Sequence, residues 1–194
     1  MRPDPLQLPD DLPRPIDDGA SDHLRGRPLP SVEVLATDGA MVDLSDAQSR
    51  WTVVYIYPRT GVPGVDPPSG WDQIPGARGC TPQSCSFRDA HGELADLDAT
   101  VYGLSTQSHD AQVEFSRREH IPFRLLSDPE RFVGEALDLP VFETDGIVAY
   151  KRMTLIARGG TIVHVRYPVF PPDRDAEDVL AWLQHATARG GAPN

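Results

Sequence analysis

The segment Trp51-Thr52-Val53-Val54-Tyr55-Ile56-Tyr57 constrains the fold most tightly. Its residues are β-branched or aromatic and show no clean alternation with polar ones, which is how a strand buried on both faces reads. It is therefore the candidate central strand. Before it, residues 32–36 and 41–44 read as strands joined by an Asp38-Gly39 hairpin turn. Pro58 ends the central strand, and a loop rich in Pro and Gly, with Trp71 in it, runs over residues 59–79. Loops this long are often functional, although a tolerated surface insertion reads the same way. A helix follows from Cys80, with Phe87, Leu94 and Leu97 as its apolar face.

Further on, residues 100–105 read as a strand and Ser108 caps a helix through Arg118. A short strand at 123–126 leads through Ser127-Asp128-Pro129 into a helix ending at Leu137. Residues 152–157 and 161–167 read as strands joined at Gly159-Gly160, and 175–186 as a helix with Ala176, Val179, Leu180 and Leu183 on one face. Strand–helix alternation closing on a hairpin and a helix means an α/β layered fold, a mixed sheet flanked by helices. Residues 1–27 are rich in Pro and Asp, so an extended or disordered tail is expected there, with the domain over residues 28–188.

A net charge of −11 argues against nucleic acid or an anionic membrane as partner. No apolar run approaches a membrane span, and the first residues, Met1-Arg2-Pro3-Asp4-Pro5, lack the apolar core of a signal peptide. A cytoplasmic protein is expected. In that reducing setting the two cysteines point to catalysis, redox chemistry or metal binding rather than to a structural staple.

Both cysteines lie in Gly79-Cys80-Thr81-Pro82-Gln83-Ser84-Cys85-Ser86-Phe87-Arg88-Asp89. Thr81 suits an N-cap and Pro82 the first helical position, so Cys80 falls at or just before a helix N-terminus. Unpaired N–H groups and the helix dipole favour an anion there, and the thiolate is the reactive form of cysteine. Two inert buried thiols are the plain alternative. A metal site is poorly supported, since neither the cysteines nor the six scattered histidines show a common ligand spacing. The Cys-x4-Cys spacing is not the Cys-x-x-Cys of dithiol reductases, and no Gly-rich nucleotide loop occurs, so no cofactor is expected. The arrangement fits a two-thiol peroxidase better. One thiolate is oxidised to sulfenic acid and the second thiol condenses with it. Such a site needs a cation near the attacking sulfur, and Arg152 is the candidate.

The run from Cys80 to Asp89 resembles the active-site segment of peroxiredoxins of the Q, or bacterioferritin-comigratory-protein, type. Val53-Val54-Tyr55-Ile56-Tyr57-Pro58, Gly103-Leu104-Ser105-Thr106, Phe123-Arg124-Leu125-Leu126-Ser127-Asp128 and Lys151-Arg152-Met153-Thr154-Leu155-Ile156 match that family's pattern in consistent order over about residues 28–185. The resemblance implies a thioredoxin-like fold with an N-terminal β-hairpin. It implies Cys80 as the peroxidatic and Cys85 as the resolving cysteine, with Arg152 stabilising thiolate and peroxide. It further implies a peroxide substrate, a thioredoxin- or glutaredoxin-like protein as reductant, no bound cofactor or metal, and a monomer or weak homodimer. Two positions depart from the family. Ala77 stands where a threonine is usual, leaving Thr60 as the candidate hydroxyl donor, and Gln107 stands where an acidic residue is common. A thiol–disulfide oxidoreductase acting on proteins, or a peroxide-sensing switch without turnover, is the alternative expectation.

Overall fold

The computed structural model describes residues 8, 12–46 and 49–190. A seven-stranded sheet runs in the order β2 (Met41–Asp43), β1 (Glu33–Ala36), β5 (Arg124–Ser127), β4 (Ala99–Ser105), β3 (Trp51–Ile56), β8 (Met153–Arg158), β9 (Thr161–Arg166). β3 pairs parallel with β4 and antiparallel with β8, and every one of its residues is buried. Its side chains alternate between two apolar layers, as the pleat requires. Val54 and Ile56 pack with Leu104, Leu126 and Val133, the last from α4 (Phe132–Leu137). Val53 and Tyr55 pack with residues of four elements on the other face. Those are Phe87 of α1 (Cys80–Asp89), Leu94 of α2 (His91–Asp96), Phe115 of α3 (His109–Arg118) and Val179 of α5 (Asp175–Gly190). The expected mixed sheet between helical layers, with its Asp38-Gly39 hairpin, is what forms.

Four details differ from the sequence reading. Residues 141–150, given no element above, form a separate hairpin of β6 (Val141–Thr144) and β7 (Ile147–Tyr150). Its turn is Asp145-Gly146, both at positive φ (51° and 73°), a pairing that matches the twist of a tight hairpin. The helix after Cys80 breaks at Ala90 into α1 and α2. Thr81 is not the cap and Pro82 is not the first helical residue. The N-cap is Gly79 at φ 98°, and its carbonyl accepts the first helical bond from Gln83 N at 3.0 Å. Cys80 is thus the first residue of α1, and Pro82 still falls in the first turn, where a missing N–H costs nothing.

The fourth difference is the domain boundary. Leu24 is fully buried in the core, Gly26 and Arg27 exchange backbone bonds with Ile162 at 2.8 and 2.9 Å, and Pro28 bridges Thr161. Arg27 donates to the carbonyls of Ala136 and Leu137 at 2.8 and 3.1 Å, where the C-terminal end of α4 favours a cation. Residues 24–27 therefore pack with the domain, within the stretch where a tail was expected. Leu24 does what its Pro- and Asp-rich neighbours conceal in composition. Residues 1–7 and 9–11 of that expected tail lie outside the described residues.

Gly79 is the turn on which Cys80 is hung. A methyl group there would collide with the Pro172 ring and touch Leu8, besides straining the positive φ. Gly79→Ala is expected to cost about 1–3 kcal/mol of stability. Chemical denaturation of wild type and variant measures it.

Candidate active site

Cys80 Sγ is enclosed, with the residue only 2% exposed. It accepts from the Arg59 backbone N–H at 3.3 Å and from Arg152 Nη2 at 3.2 Å. Its own proton can reach the Ala77 carbonyl at 3.6 Å. Each partner has a structural origin. Arg59 lies just past β3, where Ser105 Oγ pins the preceding carbonyl, that of Pro58, at 3.1 Å. Arg152 lies one residue before β8 rather than in it, so the strand's pairing with β3 fixes its Cα. These donors and the free N–H groups of the first helical turn all favour negative charge on the sulfur.

Arg152 itself is buried, at 3% exposure. Its guanidinium donates to the carbonyls of Gly76 (3.3 and 3.2 Å), Ala77 (3.3 Å) and Arg78 (2.9 Å), to Gln83 Oε1 and to Cys80 Sγ. No carboxylate is among those partners. A buried cation is costly unless an anion or several good acceptors face it. Here the acceptors are carbonyls and an amide, and the sulfur is the one partner able to become an anion. Gln83 is held in turn. Its Nε2 donates to Asp175 Oδ2 at 2.7 Å, and that fully buried carboxylate also accepts from Thr154 Oγ1 at 2.6 Å and Arg166 Nε at 2.9 Å. Asp175 therefore turns the Gln83 amide so that its oxygen faces Arg152.

A cleft of about 350 Å³ opens at Cys80, lined among others by Thr60, Val62, Val65, Pro68, Gly79 and Thr81. The 59–79 loop thus forms much of its wall. That loop is not structureless, since Trp71–Gln73 make a 3-10 turn. Trp71 is buried with Ala77, Ala149 and Phe142, which seats the loop on the β6–β7 hairpin. Thr60 lines the cleft and is buried, with its N–H and Oγ1 both directed at Gln107 Oε1, at 2.8 and 3.0 Å. The Thr81 hydroxyl, also buried, has no partner among the described residues.

Cys85 sits elsewhere on α1, buried, with Sγ 3.9 Å from Glu119 Oε2. Burial pushes its thiol above the usual value; Arg88 pulls it back, and Glu119 adds to the rise. Both cysteines are free thiols in α1. Five helical residues put Cα atoms about 8.7 Å apart, on faces about 140° from each other. A disulfide needs about 7 Å or less with converging Cβ atoms, so α1 as folded cannot close one. Among the described residues no group of three or more His, Cys, Asp or Glu could hold a metal ion, and no helix is long and apolar enough to cross a membrane.

An enclosed thiol on a helix start, against a buried arginine and under a cleft, has relatives. The Redoxin family matches residues 24–180, and the chain belongs to it. Within that family it is of the peroxiredoxin Q, or bacterioferritin-comigratory-protein, type. It is 33% identical to peroxiredoxin Bcp of Bacillus subtilis (strain 168) over 114 residues, 59% of this chain and 63% of that protein. It is 26% identical to the putative peroxiredoxin bcp of Coxiella burnetii over 161 residues, 81% of this chain and 97% of that one. The chain spans a little under two thirds of the Bacillus protein and of the chloroplastic peroxiredoxin Q of Oryza sativa subsp. japonica, 63% and 66%. Among solved structures, peroxidoxin BcpB from Mycobacterium tuberculosis superposes with a TM-score of 0.67 at 24% identity, covering 83% of this chain and 96% of that one. Xanthomonas campestris peroxiredoxin Q gives 0.63 at 21% identity, covering 90% and 98%. The fold is the thioredoxin-like one.

Of the four candidate residues, Cys80 and Thr60 line one cleft, and Arg152, which does not line it, contacts the Cys80 sulfur. Cys85 lies apart, on another face of α1. The residues that hold Arg152, namely Gln83, Asp175 and the 76–78 carbonyls, were not singled out from sequence. A polar Gln83 one turn beyond Cys80 on a buried helix face was the available hint. Cys85 should react slowly with iodoacetamide at pH 7 in a Cys80→Ser background. A raised thiol is protonated below its titration point and ionised above it, so the rate should climb only beyond the ordinary cysteine range. Alkylation against pH, followed by mass, tests this.

Proposed function

We propose that the chain is a thiol-dependent peroxidase that reduces hydrogen peroxide or organic hydroperoxides. The observation that carries this reading is the buried Arg152 guanidinium against Cys80 Sγ with no carboxylate among its partners in the described residues. The Cys80 thiolate attacks the distal oxygen of ROOH. The S–O bond forms as the O–O bond breaks, and RO⁻ leaves with a proton from solvent as ROH. Arg152 and the Arg59 N–H face the oxygens on which charge develops, the task of preorganised donors. Thr60 spends its hydroxyl hydrogen on Gln107, which leaves its oxygen free to accept from the peroxide O–H. In this reading Gln107 does the orienting for which a carboxylate is not needed.

Cys85 then attacks the sulfenic acid. The S–S bond forms, the S–O bond breaks and water leaves. A thioredoxin- or glutaredoxin-like dithiol protein takes the disulfide by exchange and returns both thiols. Since both cysteines lie on one helix, the cycle needs no second subunit, in keeping with a monomer or weak homodimer. No metal or cofactor enters.

Peroxide consumption with a thioredoxin system tests the assignment. Cys80→Ser should abolish it. Cys85→Ser should leave a dimedone-reactive sulfenic acid on residue 80. Arg152→Ala should slow the peroxide step about a hundredfold or more, with Arg152→Lys recovering part of the loss because a point charge cannot copy the planar fork. Turnover that survives Cys80→Ser would end this reading, and disulfide exchange with proteins in the absence of peroxide consumption would favour an oxidoreductase.

A further inference from the structure

Cys85 is held from outside its own helix. Its Sγ faces Glu119 Oε2 at 3.9 Å, and Glu119 is the residue that closes α3. That carboxylate is itself fixed and largely enclosed, its side chain 13% exposed. Arg118 Nε donates to its Oε1 at 3.0 Å, while the other Arg118 nitrogens hold Glu114 Oε1 and the Gly61 carbonyl, both at 2.8 Å. Arg88, further along α1, donates to the Glu119 carbonyl at 2.9 Å. The later half of α1 is therefore pinned to the end of α3 at two points, one of them the thiol.

We propose that Glu119 is a positioning residue for the second chemical step: it holds Cys85 as a neutral thiol against α3 while Cys80 meets the peroxide, and so sets the rate at which the disulfide closes. The proposal rests on the reading of Cys85 as the resolving thiol.

The physical basis is charge. A carboxylate beside a sulfur accepts from S–H and repels S⁻. The charged groups facing Cys85 are Glu119 from the end of α3 and Arg88 and Asp89 from α1, while the buried Tyr55 hydroxyl of β3 is neutral. Arg88 opposes Glu119, but its guanidinium is already engaged by Asp89 Oδ1 at 2.8 Å and by the Glu119 carbonyl. Burial works in the same direction as Glu119. The carboxylate is not the base for this thiol, because ordinary carboxyl and thiol groups titrate about four units apart and so large a mismatch makes proton transfer inefficient. To resolve, Cys85 must leave Glu119 and give its proton to solvent. Its sulfur then attacks Cys80 sulfur, and the expelled hydroxide takes up a proton as water.

Single-turnover stopped flow separates the peroxide-dependent phase from the disulfide-closing phase. Glu119→Gln keeps an acceptor of the same shape and removes the charge. The closing phase should then run about tenfold faster at pH 7, the equivalent of about one unit in the thiol's titration. The advantage should vanish at alkaline pH, where Cys85 is ionised in both proteins. Glu119→Asp keeps the charge one methylene further back and should fall between; it also serves as the folding control. A closing phase that is slower, unchanged, or faster by the same factor at every pH would overturn the proposal. If the wild type itself shows no closing phase and no Cys80–Cys85 bond by mass, Cys85 is not the resolving thiol and both readings fall. That result comes from the wild type alone and so differs from a failure of Glu119.

Discussion

The buried guanidinium of Arg152 is the constraint on which the site depends. A cation taken out of water must find acceptors, and this one is given the carbonyls of residues 76–78, the Gln83 amide and the Cys80 sulfur. Those contacts tie three parts of the chain to one another. The end of the long loop, the first turn of α1 and the start of β8 all converge on the one side chain. Gly79 makes that convergence possible by turning the backbone where any side chain would strike Pro172. Asp175 could have neutralised the arginine, yet Arg166 balances it and the Gln83 amide keeps the two apart. The positive charge is left directed at the sulfur.

In the proposed cycle the same arrangement makes the second step costly. Gln83 belongs to the first turn of α1 and joins Arg152 to Asp175, so unwinding that turn takes apart the holder of the arginine. Cys85 is anchored on another face through Glu119. The reduced site is thus complete as folded and has to be disassembled to close a disulfide. After reduction the helix can reform and rebuild the sulfur's surroundings.

Much of this was legible in the sequence because it is local. The unbroken apolar run 51–57 reads as a buried strand, the Asp38-Gly39 turn as a hairpin, and Ser108 as a cap, which its side chain makes by accepting from Ala111 N at 3.4 Å. The position of Cys80 at a helix start followed from the Thr81-Pro82 start signal, although Gly79 and not Thr81 caps the helix and Cys80 begins it. What stayed hidden depends on tertiary contact. Asp175 is an ordinary first-turn acid of α5 until the fold buries it beside Gln83 and Thr154. Leu24 is one apolar residue in a polar segment until the sheet edge receives it. The β6–β7 hairpin carried a readable Asp145-Gly146 signal, but its strands have exposed or half-buried outer positions and lack a long apolar run.

The central claim is that one helix start serves both steps, folded for the first and open for the second. Hydrogen exchange of the reduced protein and of the form with a Cys80–Cys85 disulfide, confirmed by mass, tests it most directly. The amides of Ser86 to Ala90 should be protected when reduced, lose protection in the disulfide form and recover it on adding dithiol. Equal protection in both forms would contradict the account, because α1 as folded holds its two sulfurs on different faces.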